Sequence, residues 1–120
     1  MTTQYTLEVN NRAFRAIKSG LKSVEYRTNS VSSKINFNNL KEGDKIKFFS
    51  ELGNDEILVE VIRVTHYNTS KELFKSEGLN NSSSKPRTIE DAVKRLETFT
   101  DYKENIKKFG VFAIEFQVID

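Results

Sequence analysis

Apolar residues along the chain recur at two periods, two and about 3.6, and the changes of period divide it into elements. Tyr5, Leu7 and Val9 alternate with polar neighbours, which predicts a strand. Ala13, Phe14 and Ile17 then follow at helical spacing and stop at Gly20. Residues 21 to 27 are rich in strand-compatible side chains, and the Asn- and Ser-rich stretch from 28 to 39 predicts a long polar loop, a feature that often carries function in small domains. Glu42, Gly43 and Asp44 form a turn into a strand over Lys45–Ser50, and residues 51 to 55 read as a hairpin loop into a strand over Glu56–Tyr67. In that strand the alternation Ile57, Val59, Val61 changes phase to Ile62 and Val64. The phase change calls for a bulge or for burial on both faces, and either fits a curved barrel strand.

Thr69 followed by Glu72 is a capping-box pattern for a short helix with Leu73 and Phe74 inward and Gly78 as its stop. After a weakly basic loop over 80 to 87, Thr88 and Asp91 repeat the start signal. Ile89, Ala92, Val93, Leu96 and Phe99 then give a helical stripe. Phe112, Ile114, Phe116 and Val118 alternate as a half-buried strand after Gly110. The order β α β, β β, α α, β lacks strict βαβ alternation, and its hairpin points to antiparallel pairing, so the fold class is α+β with a mostly antiparallel β-barrel. Phe14, Ile46, Phe48, Val59, Leu96, Ile114 and Phe116 are read as core and given no function.

Composition narrows the chemistry. With 120 residues the chain reads as one domain over 1–120, and nine Phe and four Tyr supply bulky core material. There is no Cys, and the lone His66 cannot build a zinc centre, so neither a disulfide framework nor a metal or other cofactor is expected. The polar start and the lack of any long apolar run predict a soluble, unexported, cytoplasmic protein, taken as a monomer. The net charge is only +2, yet residues 1 to 50 hold nine Lys/Arg against four Asp/Glu. A basic first half suits an anion-binding face and equally suits an ordinary solvated surface.

The sharpest cluster is Gly20-Leu21-Lys22-Ser23-Val24-Glu25-Tyr26-Arg27. Period-two geometry puts Glu25 and Arg27 on one face, which Lys22 joins only if the Gly20 turn redirects it. Buried charges must be paired, so the cluster is either paired in a cleft or exposed on an edge strand, and spacing alone favours the exposed strand.

The octet GLKSVEYR resembles the GxKxxExR signature of ASCH (activating signal cointegrator homology) domains. Three further features fall in the order that family has them: the Gly43-Asp44 turn, VTHYNTSKELFKSEG ending at Gly78, and GVFAIEF from Gly110. The resemblance runs from Tyr5 to Ile119. It implies a PUA-like barrel with flanking helices and a cleft for RNA, a nucleotide or a modified nucleoside. Some bacterial relatives are amidohydrolases that deacetylate acetylcytidine with a Lys, a Thr three residues later and a Glu at the end of the following short helix. By motif these positions are Lys22, Glu25 and Glu77. Glu25 stands where the Thr would be, so the hydroxyl nucleophile is missing, and Glu25 would have to act as a base that activates water or form an unstable mixed anhydride.

Glu77 is also unusual on physical grounds, since a carboxylate in the last turn of a helix faces the negative end of the helix dipole and invites a compensating cation, Lys22 being the candidate. The expected site therefore joins Lys22, Glu25, Arg27 and Glu77 in one cleft, with Tyr67 and Tyr102 as further ligand contacts and loop 28 to 39 at its border. The first reading is a binding module in which the cations hold a phosphate or a base edge and the carboxylates accept hydrogen bonds. The alternative is a small metal-independent hydrolase, of amidohydrolase or ribonuclease type, with Glu25 or Glu77 as base and Lys22 stabilising an oxyanion. A protein-interaction adaptor is the third class. His66 reads as a structural imidazole, and Lys103, Lys107 and Lys108 as the solvated face of a helix.

Overall fold

In the computed structural model, which describes residues 3–31, 35–53, 55–80 and 85–119, all five predicted strands form. They are β1 (Gln4–Val9), β2 (Val24–Arg27), β3 (Lys45–Ser50), β4 (Glu56–Tyr67) and β5 (Val111–Val118). The helices are α1 (Asn11–Lys18), α2 (Ser70–Glu77), α3 (Ile89–Glu97) and α4 (Tyr102–Phe109), with one 3-10 turn over Phe37–Asn39. The strands join in one curled sheet of order β1-β3-β4-β5-β2, parallel only between β1 and β3. Patterning and resemblance predicted an α+β, PUA-like, mostly antiparallel barrel with flanking helices, and the sheet forms it as a half-barrel. Among the described residues no helix is long and apolar enough to cross a membrane.

Period-two alternation on β5 feeds two cores. Phe112, Ile114 and Phe116 point into the concave face, where Phe14 and Ile17 of α1, Ile46, Phe48, Val59 and Phe37 meet them. Val111 and Ala113 point the other way, against Leu73 and Phe74 of α2, Ala92 and Leu96 of α3 and Ile106 of α4. The phase change in β4 is a bulge: the register against β5 slips between Val61 and Arg63, and Ile62 is left half-exposed. Its consequence is directional. Beyond it Val64 keeps facing the concave core, while Arg63, Thr65 and Tyr67 are turned to the helix-covered face.

Local signals worked at the helix starts. Thr69 accepts from the Glu72 N–H at 3.1 Å and Thr88 from the Asp91 N–H at 3.0 Å, as the two capping patterns require. The Gly43-Asp44 turn has a structural purpose, because the fully buried Asp44 carboxylate accepts from the backbone N–H groups of Thr3 at 2.9 Å and Lys41 at 3.0 Å. Burial pushes its pKa up, but those two donors and the Lys41 ammonium together hold it below the usual carboxylate range. Patterning omitted α4 from the element order and extended α3 too far. Thr98 caps α3, and Asp101 takes left-handed backbone at φ 65° before α4 begins. Phe99, expected in the apolar stripe of α3, therefore lies past the helix end and is 52% exposed.

Gly110 links the two faces. Its φ is +77°, and a Cβ there would collide with the His66 ring and the Tyr67 carbonyl, while its own carbonyl accepts from the Thr28 hydroxyl at 2.7 Å. Gly110→Ala is expected to cost about 2 kcal/mol or more, lowering the thermal midpoint by roughly 8 °C. Gly53→Ala, at φ +74° in open space, carries only the backbone strain and is expected to cost about 1 kcal/mol. Equal melting temperatures for the two variants would refute the crowding at Gly110.

Candidate functional site at the seam of the half-barrel

The site is built at the edge strand β2. After α1 the chain turns at Gly20, φ +84°, and the N–H groups of Leu21 and Lys22 both donate to the Ala16 carbonyl, at 2.9 and 3.1 Å. That anchored turn swings Lys22 onto the face of Glu25 and Arg27. The Lys22 Nζ lies 3.3 Å from Glu25 Oε1, and Arg27 Nε donates to Glu25 Oε2 at 2.8 Å. Side-chain exposures are 6%, 10% and 20% for Lys22, Glu25 and Arg27. The exposed-edge alternative is thereby overturned, and the cluster is a buried, paired triad with net charge of one positive unit.

Arg27 also spans the seam. Its Nη2 donates to the Glu8 carbonyl on β1 at 2.7 Å, so the two outer strands of the sheet, which form no ladder with each other, are joined through one guanidinium. Beside it, a cavity of about 430 Å³ opens between β2, the start of α1 and the α3–α4 turn. Its polar lining includes Asn10, Arg12, Lys22, Glu25 and Arg27, and its apolar lining Phe74, Leu96, Phe99 and Tyr102. Phe99 and Tyr102 stand with ring centroids 5.5 Å apart and planes at 52°, and Lys22 Nζ sits 5.2 Å from the Tyr26 ring centroid. Burial pushes the Glu25 pKa up, but the adjacent Arg27 and Lys22 cations outweigh it and hold the carboxylate ionised below its usual range. Burial raises the Tyr102 phenol, against the pull of nearby Arg27.

Glu77 is not in this cavity. Arg63 grips it in a bidentate pair, Nη1 to Oε2 and Nη2 to Oε1 both at 2.8 Å, and the Tyr67 hydroxyl donates to Oε2 at 2.5 Å. Arg63 also binds Glu115 at 2.9 Å and Thr65 at 2.7 Å. These residues line a separate pocket on the helix-covered face of β4 and β5. The expectation that Glu77 converges with Lys22 and Glu25 is corrected on this point. A helix-end carboxylate does need a cation, but the bulge at Ile62 delivers Arg63 to it. Arg63 hydrogen bonding holds the Glu77 pKa low although its side chain is only 6% exposed. Tyr67 goes with Glu77, and Tyr102 with the seam triad.

Tyr26 forms the partition. Its ring lines the seam cavity while its buried hydroxyl has no hydrogen-bond partner among the described residues, and burial followed by the charges of Glu77 and Glu25 pushes its pKa well up. Loop residues Thr28, Ser30 and Ile35 border an adjoining cavity that shares Arg27 and Tyr102; residues 32–34 of that loop lie outside the described residues. His66 is structural, its Nε2 2.9 Å from the Phe109 carbonyl and its ring edge-on to Phe112. Lys103, Lys107 and Lys108 are exposed and line none of these cavities. Sequence reasoning missed Arg12, Phe99 and Arg63; only Arg63 had a signal, the phase change one residue before it.

The ASCH domain family model matches residues 7–120. A hypothetical protein of known crystal structure is 31% identical, covering 97% of this chain and 99% of its own, with a TM-score of 0.80. A Pyrococcus furiosus protein solved in solution is 28% identical over 98% of both chains, with a TM-score of 0.71. An ASCH domain from Lactobacillus crispatus, 12% identical over 98% of this chain and 79% of its own, shares the fold at a TM-score of 0.58. No curated protein matches the chain.

Because Glu25 carries the pairing of two cations, its removal should be felt throughout the site. Glu25→Gln is expected to cost about 3 to 5 kcal/mol, the usual result of stripping one partner from a buried ion pair. Since the folded-state pKa of Glu25 lies below the ordinary 4.5, its stabilisation is full above that pH and is lost as pH falls through the folded value. Thermal melts of both proteins from neutral pH into acid should show the native advantage shrinking below about pH 4.5. An advantage that persists unchanged into strong acid would contradict the pairing.

Proposed function

The chain belongs to the ASCH domain family, and on that premise we propose that the seam cavity is a binding site for a nucleobase-bearing ligand, an RNA nucleotide or a modified nucleoside, recognised without turnover. The observation that carries this reading is a buried carboxylate flanked by two cations in a concave site with aromatic rings at its rim. Glu25 offers acceptor lone pairs to base N–H groups, Lys22 and Arg27 offer donors to a carbonyl or phosphate oxygen, and Phe99 with Tyr102 offers a stacking face.

Catalysis is less well supported. A general base works best with a pKa near the operating pH, and both Glu25 and Glu77 are held below the usual carboxylate range by their cations. No hydroxyl occupies the position where acetylcytidine-deacetylating relatives place their Thr, and Glu77 pairs with Arg63 on the far side of Tyr26.

Phe99 gives the cleanest test, since it is half-exposed and belongs to neither core. Phe99→Ala should leave the melting temperature within about a degree or two, yet weaken binding of nucleoside monophosphates by about 5- to 100-fold, the worth of one stacked base. Calorimetric titration measures it, and unchanged affinity in the variant would remove the stacking face from the account. Incubation with acetylcytidine should release no acetate; brisk release that Lys22→Ala abolishes would replace the binding module with the hydrolase.

A further inference from the structure

Arg12, Arg15 and Lys85 form no ion pair among the described residues, and all three line one groove. Arg12 and Arg15 are exposed on α1 three residues apart, so they share a face and repel each other, and the first turn of α1 holds no acidic residue to offset them. Facing them across a groove of about 930 Å³ is Lys85, whose φ of 50° is left-handed backbone in a residue that is not glycine. Asn80 and Pro86 complete that wall, Leu21 lies along the groove with 71% of its surface exposed, and among the described residues no acidic side chain lines it.

A solvated surface normally intersperses both signs of charge, whereas here one sign is concentrated in a concavity, which focuses the field on an anion. The groove is also connected to the seam, because Arg12 lines both it and the triad's cavity. A single phosphate would need one such cation. A run of three leading to a cavity sized for a base suits a chain of phosphates.

We propose that the groove between α1 and the described residues Asn80, Lys85 and Pro86 binds the phosphodiester backbone of single-stranded nucleic acid and leads it to the seam cavity, a proposal that rests on the reading of that cavity as a base site. Arg12, Arg15 and Lys85 contact successive phosphates, Leu21 contributes an apolar contact for a base, and one nucleotide ends in the cavity beside Lys22, Glu25 and Arg27. The ligand is then a polynucleotide rather than a free nucleoside.

The test uses the double variant Arg15→Gln/Lys85→Gln, which leaves every residue lining the seam cavity intact. Binding of a fluorescent oligouridylate about eight nucleotides long is followed by anisotropy over a range of salt. Two lost phosphate contacts should reduce the slope of log affinity against log salt by about 1.4, and lower affinity about 20-fold near 0.1 M salt. Calorimetric binding of uridine monophosphate should not change. Identical slopes for native protein and variant overturn the proposal, even if uridine monophosphate binds. A variant-sensitive slope with no mononucleotide binding keeps the groove and removes the cavity reading instead. Inorganic polyphosphate bound as tightly as oligouridylate would mean that the groove reads charge alone, which overturns its connection to a base site. An oligodeoxyuridylate arm assigns the sugar: equal affinity means the backbone alone is recognised, weaker affinity that the strand is RNA.

Discussion

One carboxylate holds the seam together. Glu25 neutralises Lys22 on one oxygen and Arg27 on the other, and Arg27, so positioned, reaches the Glu8 carbonyl on the opposite edge strand. Without Glu25, two cations would sit largely desolvated against each other, and the guanidinium that bridges β1 and β2 would lose its orientation. The cavity depends on the same contact. Lys22, Glu25 and Arg27 all line it, and so does Glu8 from the opposite edge strand, whose carbonyl Arg27 holds.

A second consequence concerns the two carboxylates that the family resemblance would place in one active site. They belong to separate electrostatic units. Glu25 faces the concave side with Ile114 across the ladder, and Glu77 faces the helix-covered side with Arg63, Thr65 and Tyr67. Tyr26 stands between them with its hydroxyl buried and unbonded among the described residues. Each carboxylate is already charge-balanced by an arginine, which favours stable recognition over proton transfer. Family membership therefore fixes the fold here more firmly than it fixes the chemistry.

Much of this was readable from residues alone. Period-two runs, strand-compatible composition and turn signals together located all five strands, Thr69 and Thr88 marked their helices, and the displaced alternation at Ile62 marked the bulge. What was not readable arose from contacts between segments distant in sequence. The ion pair of Arg63 with Glu77 depends on a strand bulge meeting a helix end 14 residues on, and the Arg27 bridge on a carbonyl 19 residues back. Local spacing carries no record of either. Phe99 was misplaced for a local reason, because α3 already ends at its Thr98 cap, one residue before the position that the apolar spacing assigned to the helix. Lys22 was recoverable in principle: its approach to Glu25 follows from the Gly20 turn, which the sequence marked without giving its direction.

The central claim is that the ligand enters the seam cavity beside Glu25 and avoids the Arg63–Glu77 pocket. Backbone amide shifts, followed while nucleoside monophosphates are titrated into isotope-labelled protein, test it directly. The account requires the largest changes at residues 22 to 27 and 99 to 102, with Arg63, Glu77 and Glu115 little affected. Changes centred on Arg63, Glu77 and Glu115, with the β2 amides silent, would contradict it.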